Sequence, residues 1–171
     1  MKWLLWVFLS FLCLGFPKET SLQEVSFEFQ EDNGNKFTFN KIVNKDAVVA
    51  FAYTTCEYAC PLIVDKMRKI EKKLHTKKQN AEFVMISFDP LNDTVDVLKK
   101  YKIKSELNRD NWHFLTGEEK VIQKTLMIFG VKAKKIPSTG VIDHDNKIFI
   151  FGRDGKLKKV LEGLDASIDD V

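Results

Sequence analysis

A chain of 171 residues with 44% hydrophobic and 12% aromatic content carries enough apolar mass for one globular core and too little length for two comfortable ones. Its 27 basic and 24 acidic residues cancel to a net charge of +3, with the lysines spread over predicted helix faces, so no nucleic-acid partner is expected. The same near-balance excludes the highly charged composition of a disordered chain.

In chain order, Lys2 is followed by an uncharged run from Trp3 to Leu14, then Gly15, Phe16, Pro17 and the polar Lys18-Glu19-Thr20-Ser21. One positive charge, a short apolar run and a small residue before polar sequence is the layout of a secretory signal. At roughly 12 residues the run is shorter than the ~20 a membrane-spanning helix needs. Residues 1–15 are therefore read as a signal peptide ending at Gly15, with an uncleaved, membrane-tethered form as the alternative. Residues 16–171 form a single domain, exported to the periplasm or the extracytoplasmic face of the membrane.

Val25-Ser-Phe27-Glu-Phe29 and Phe37-Thr-Phe39 alternate apolar and polar about the turn signal Asp32-Asn33-Gly34-Asn35, which predicts a β-hairpin over 25–40. Residues 47–53 are continuously apolar, as in a central strand covered on both faces. Beyond Pro61, at the helix start, Ile63, Met67, Ile70 and Leu74 recur at helical spacing and lysines occupy the other face. Phe83–Phe88 reads as a second buried strand. A helix follows with Val95, Leu98 and Tyr101 on one face and Asn92 or Asp93 as N-cap. Trp112–Leu115 is a short strand, and 118–129 a helix. Lys147–Phe151 and Leu157–Leu161 make a terminal hairpin, and a short helix is expected near 165–171. Alternation of this kind implies an α/β sandwich with a central mixed sheet, an N-terminal β-hairpin and a C-terminal antiparallel β-hairpin. A thioredoxin-like fold fits that order.

Export leaves Cys56 and Cys60 as the two cysteines of the mature chain. They follow a buried strand and open a helix, where free N–H groups and the helix dipole favour thiolates. Four-residue spacing places both sulfurs on one side of the helix, about a turn apart. So placed, they suit a soft metal ion, dithiol redox chemistry or a disulfide. A bridge over so short a loop removes little chain entropy, so a purely structural role is the weakest of the three. Of the three histidines, His75 belongs to a basic helix end and His113 reads as structural. His144, just before the strand Lys147–Phe151, falls in a loop expected to face the cysteines.

Four segments together resemble the Sco/SenC family, copper-binding accessory proteins of cytochrome oxidase assembly. Phe51-Ala-Tyr53-Thr-Thr-Cys56-Glu-Tyr-Ala-Cys60-Pro61 resembles its cysteine signature. Ile86-Ser-Phe-Asp89-Pro90-Leu-Asn-Asp93-Thr94, Trp112-His-Phe-Leu-Thr116-Gly117 and Val141-Ile-Asp143-His144 followed by Gly152-Arg-Asp-Gly155 resemble the later motifs in order and spacing. The resemblance spans roughly residues 25–163. It implies that Cys56, Cys60 and His144 are copper ligands, and thiolate with imidazole suits both Cu(I) and Cu(II). It also implies that Asp89 orients the site or supplies an outer ligand, its ordinary alternative being a turn or N-cap residue. Glu57, Tyr58 and Gly140 depart from the family pattern. The resemblance implies a monomeric metallochaperone that delivers copper to the Cu(A) site of a respiratory cytochrome c oxidase subunit, or exchanges it with another copper chaperone. The alternative is an exported thiol–disulfide oxidoreductase that keeps partner cysteines reduced.

Overall fold

The computed structural model describes residues 21–171, so the expected leader lies outside the described residues. Apolar runs and helical stripes produce seven strands in one mixed sheet, three α-helices and a separate two-stranded sheet. The thioredoxin-like sandwich expected from the element order is present.

β1 (Phe29–Glu31) and β2 (Lys36–Phe37) pair antiparallel around a turn in which Gly34 adopts φ +83° and Asn33 Oδ1 accepts the Asn35 N–H. This hairpin is shorter than the expected 25–40. Its flanks close instead as 3₁₀ turns, Leu22–Glu24 and Phe39–Ile42, which bury Leu22, Phe39 and Ile42. β3 (Asp46–Ala52) runs parallel to β4 (Ala81–Ser87) through seven residue pairs and antiparallel to β8 (Lys147–Phe151). β5 (Trp112–Thr116) extends the sheet beyond β4, and β9 (Leu157–Glu162) closes it beyond β8. The order is β2-β1-β5-β4-β3-β8-β9. Six of the seven β3 residues are buried, as the uninterrupted apolar run requires.

α1 (Ala59–Thr76) and α2 (Val95–Lys104) fill the crossovers β3 to β4 and β4 to β5. Right-handed crossovers that travel the same way along the sheet put both helices on one face, and Arg68 of α1 accordingly donates to the Ser105 carbonyl that caps α2. α3 (Glu119–Phe129) covers the other face, where Phe129 packs edge-on to Phe51, Phe149 and Phe151. Its end is set by Gly130 at φ +60°, whose N–H returns to the Leu126 and Met127 carbonyls. Among the described residues no helix is long and apolar enough to cross a membrane.

Two local expectations change. Thr94, not Asn92 or Asp93, caps α2, its hydroxyl accepting the Val97 N–H, because Asp93 is turned inward and committed elsewhere. The expected helix near 165–171 is replaced by bends and turns. Seven residues are too few to hold a helix alone, and Asp169 and Asp170 at its far end would oppose the dipole. The carbonyls of Ala166, Ile168 and Val171 accept bonds from Lys66 (2.8 Å), Lys73 (2.7 Å) and Lys77 (2.5 Å) of α1 and its end.

Candidate metal centre

β3 delivers the chain to the carboxyl edge of the sheet, and Tyr53-Thr54-Thr55 turns it into α1. That turn is anchored from below by Asp93, which is fully buried. Its carboxylate accepts the Thr54 N–H (3.1 Å), the Thr54 hydroxyl (2.5 Å) and the Ser87 hydroxyl (2.6 Å). α1 then starts without a Ser, Thr, Asp or Asn cap. The Cys56 sulfur takes the role instead, accepting the Cys60 N–H at 3.4 Å. The Cys60 sulfur accepts the Tyr53 N–H at 3.4 Å.

The two thiols differ in environment. Both are unbridged, Cys60 fully buried and Cys56 half-buried. Burial by itself would raise the Cys56 thiol, but the N–H and thiol of Cys60 and the N–H groups of Tyr58 and Ala59 outweigh it and hold the thiol below its usual range. For Cys60, burial pushes the thiol well above that range; the Tyr53 N–H opposes the rise without cancelling it, and the neighbouring Cys56 adds to it. Cys56 is thus the thiol that ionises more readily, and Cys60 the one whose proton a soft cation would have to displace.

His144 ends a strand the sequence pattern does not show. β6 (Ala133–Lys135) and β7 (Ile142–His144) pair antiparallel as a small sheet of their own, with Ala133 opposite His144. The ring packs against Phe88 (centroids 4.6 Å) and edge-on to Tyr53 (6.0 Å). Nδ1 lies 3.1 Å from the Asp145 carbonyl, which can only accept, so Nδ1 carries the hydrogen and Nε2 presents its lone pair. Nε2 stands 4.0 Å from Cys60 Sγ.

Cys56, Cys60 and His144 bring one donor atom each within 4.8 Å of one another. With metal–sulfur bonds of about 2.3 Å and metal–nitrogen bonds of about 2.0 Å, three donors on one ion stand about 3.7–4 Å apart. The arrangement needs only a small contraction to hold one soft ion, and two sulfurs with one imidazole select copper or zinc over magnesium or calcium. The cluster opens onto a groove of about 400 Å³ rimmed by Tyr58, Ile136 and Val141. Incoming ligands therefore meet Cys56 and His144 before Cys60.

The three residues singled out in the sequence are brought together. Asp89 is not among the donors. Its carboxylate accepts the Asn92 side-chain N–H (2.7 Å) and its carbonyl the Asn92 and Asp93 N–H groups, as a turn residue does. It also pairs with Lys135 of β6 at 3.8 Å, reaching the imidazole's sheet at one remove. His113, taken as structural, bridges Glu31 and Glu82 far from the cysteines, and His75 is exposed. Sequence reasoning missed Tyr53, Phe88 and Asp93. A tyrosine closing a buried strand is the legible signal, since its hydroxyl must find a partner.

The sequence profile described as SCO1/SenC matches residues 17–170. The chain belongs to the SCO1/SenC family. Among solved structures, this SCO1/SenC chain is similar to a SCO1/SenC family lipoprotein from Bacillus anthracis, with 27% identity and a TM-score of 0.77 over 84% of this chain and 87% of that one. It is also similar to BsSco, a member of the Sco family of cytochrome c oxidase assembly proteins in which a disulfide switch was identified. That match has 28% identity and a TM-score of 0.75 over 90% of each chain. ScoI of Bradyrhizobium japonicum, solved with copper bound, aligns with 25% identity and a TM-score of 0.68 over 84% of this chain and 91% of that one.

Proposed function

We propose that this protein carries copper as cargo on Cys56, Cys60 and His144 and delivers it to the Cu(A) site of a respiratory cytochrome c oxidase subunit, or exchanges it with another copper chaperone. The observation that carries the reading is the convergence of two thiols and an imidazole lone pair within 4.8 Å at the mouth of a groove. Membership of a family that includes oxidase assembly proteins, and likeness to a Sco protein solved with copper, support it. Cu(I) is satisfied by the two sulfurs, and Cu(II) gains from the imidazole. Transfer proceeds by ligand exchange: a donor of the partner enters along the groove, binds the ion, and displaces the exposed donors before buried Cys60. Asp89 steadies β6 through Lys135, and with it the strand that carries His144. The leader-like N-terminus and the lipoprotein neighbour support work outside the cytoplasm, at the extracytoplasmic face of the membrane or in the periplasm.

Metal analysis and optical titration of residues 16–171 test the reading. One copper per chain is expected, with a thiolate-to-Cu(II) charge-transfer band that disappears in Cys56→Ser and in Cys60→Ser. His144→Ala is expected to weaken Cu(II) binding more than Cu(I) binding; an unchanged Cu(II) spectrum in that variant refutes the site.

The contrast between the thiols favours thiol–disulfide exchange as the second reading. The Cys56 thiolate attacks a partner disulfide and forms a mixed disulfide. Cys60 gives up its proton to the departing partner sulfur and displaces the second one. The products are a Cys56–Cys60 disulfide and a reduced partner dithiol, a two-electron transfer. This route needs no histidine, so survival of exchange in His144→Ala separates the two readings.

A further inference from the structure

Tyr53 touches all three members of the cluster by different parts of itself. Its main-chain N–H donates to Cys60 Sγ at 3.4 Å. Its main-chain carbonyl accepts the Cys56 N–H at 3.3 Å, and its hydroxyl accepts the Ile142 N–H at 3.4 Å. Its ring stands edge-on to the His144 imidazole and is tilted against Phe88, with centroids 5.3 Å apart. The residue is 6% exposed, at the inner wall of the groove.

These contacts cross a structural boundary. Cys56 and Cys60 are fixed by β3 and α1, whereas His144 and Ile142 belong to β7, which shares no ladder with the main sheet. A residue bonded to both cysteines through its main chain and to β7 through its hydroxyl is a tie across that gap. From this geometry we propose that Tyr53 is a positioning residue whose hydroxyl holds the imidazole strand in register with the thiols, which sets the preference of the site for Cu(II) over Cu(I). The inference rests on the copper reading above, but its mechanical half does not.

The chemistry gives the direction. The imidazole is the donor that Cu(II) gains from and Cu(I) can dispense with. Loosening β7 therefore weakens Cu(II) binding first, and changes to groups that orient ligands typically cost ten- to a hundred-fold in metal affinity. A purely packing role makes the opposite prediction, because phenylalanine fills the same space and keeps the main-chain N–H to Cys60.

The test is Tyr53→Phe in the folded chain, read with and without metal. In the metal-free protein, amide exchange at Ile142 is expected to accelerate about tenfold while amides of β3 and β4 keep their rates. On copper titration, Cu(II) affinity is expected to fall about tenfold and Cu(I) affinity by less than threefold. Phe88→Leu serves as the second variant: it loosens the ring contact but leaves the hydroxyl tie, so Ile142 exchange should stay at the wild-type rate. Unchanged Ile142 exchange in Tyr53→Phe overturns the proposal, as does acceleration of Ile142 together with all of β3, which means general loosening. If Ile142 accelerates yet His144→Ala leaves Cu(II) binding intact, the copper reading fails and the tie stands. If Ile142 accelerates, His144→Ala weakens Cu(II), and Tyr53→Phe leaves the Cu(II)-to-Cu(I) ratio unchanged, the assignment of metal preference to Tyr53 is refuted.

Discussion

Replacing His113 by glutamine should destabilise the fold without touching the cysteine site. His113 Nδ1 lies 2.5 Å from Glu31 of β1 and Nε2 lies 2.9 Å from Glu82 of β4, with all three side chains between 9% and 14% exposed. Carboxylates facing both ring nitrogens require both to carry hydrogen, so the ring is an imidazolium. Burial alone would lower its pKa, but the bonds to Glu31 and Glu82 prevail and raise it above the ordinary 6.5. Removing one member of a buried ion pair costs about 3–5 kcal/mol. Here Glu82 keeps Lys45 at 2.6 Å, whereas Glu31 keeps the neutral Asn33 side chain at 3.0 Å and the weaker attraction of Lys41. One carboxylate is orphaned rather than two, which places the loss at the low end, about 3 kcal/mol. For a domain of this size that is a fall in Tm of about 6–12 °C.

The pH dependence has a definite sign. Stability from a raised histidine is complete below its unfolded value of 6.5 and is lost as pH rises through the raised folded value. Glu31, which burial would raise but His113 and Asn33 pull down, is held below 4.5, as is Glu82, chiefly by His113. Stability from these carboxylates is complete above 4.5 and is lost as pH falls through their lowered values. The gap between wild type and variant should therefore be widest between pH 4.5 and 6.5 and narrow in alkali. Urea unfolding followed by fluorescence measures it directly, because buried Trp112, beside His113, is the one tryptophan of residues 16–171. A loss below 1 kcal/mol at pH 6, or the same gap at pH 6 and pH 9, refutes the reasoning.

Iodoacetamide should label Cys56 well before Cys60, because Cys56 is half-buried with its thiol held below the usual range, while Cys60 is sealed with its thiol raised; equal labelling by mass spectrometry contradicts that contrast. Asp93→Ala should cost about 2–4 kcal/mol by chemical denaturation, since it strands the Thr54 and Ser87 donors. It should also broaden the Cys56 resonances as the turn loosens, and a loss within 0.5 kcal/mol would show that the anchor is dispensable.

The residues that carry a periodic signal were legible. The unbroken run over 47–53 gives β3, and Ile63, Met67 and Ile70 give the buried face of α1. The cysteines were legible because their chemistry follows from standing where that strand meets that helix. β6 was not: Ala133-Lys134-Lys135 is polar and mostly exposed, and only pairing with β7 makes it a strand. Asp93 reads locally as an N-cap, and only the fold shows its carboxylate turned toward Thr54 and Ser87. The tail near Ile168 fails as a helix because lysines about 95 residues away claim its carbonyls, a competition with no local trace.

The division of the cluster between two sheets has a mechanical meaning. Cys60 sits on a framework whose central strand is bonded along its length to neighbours on both sides. The imidazole is mounted on a strand pair three residues long that rests against that framework. Swinging the imidazole away breaks side-chain packing and a few isolated hydrogen bonds, whereas moving Cys60 disturbs the buried start of α1. The cluster thus has one stiff mount and one compliant one, so a pull on the imidazole is borne by far fewer bonds than a pull on Cys60.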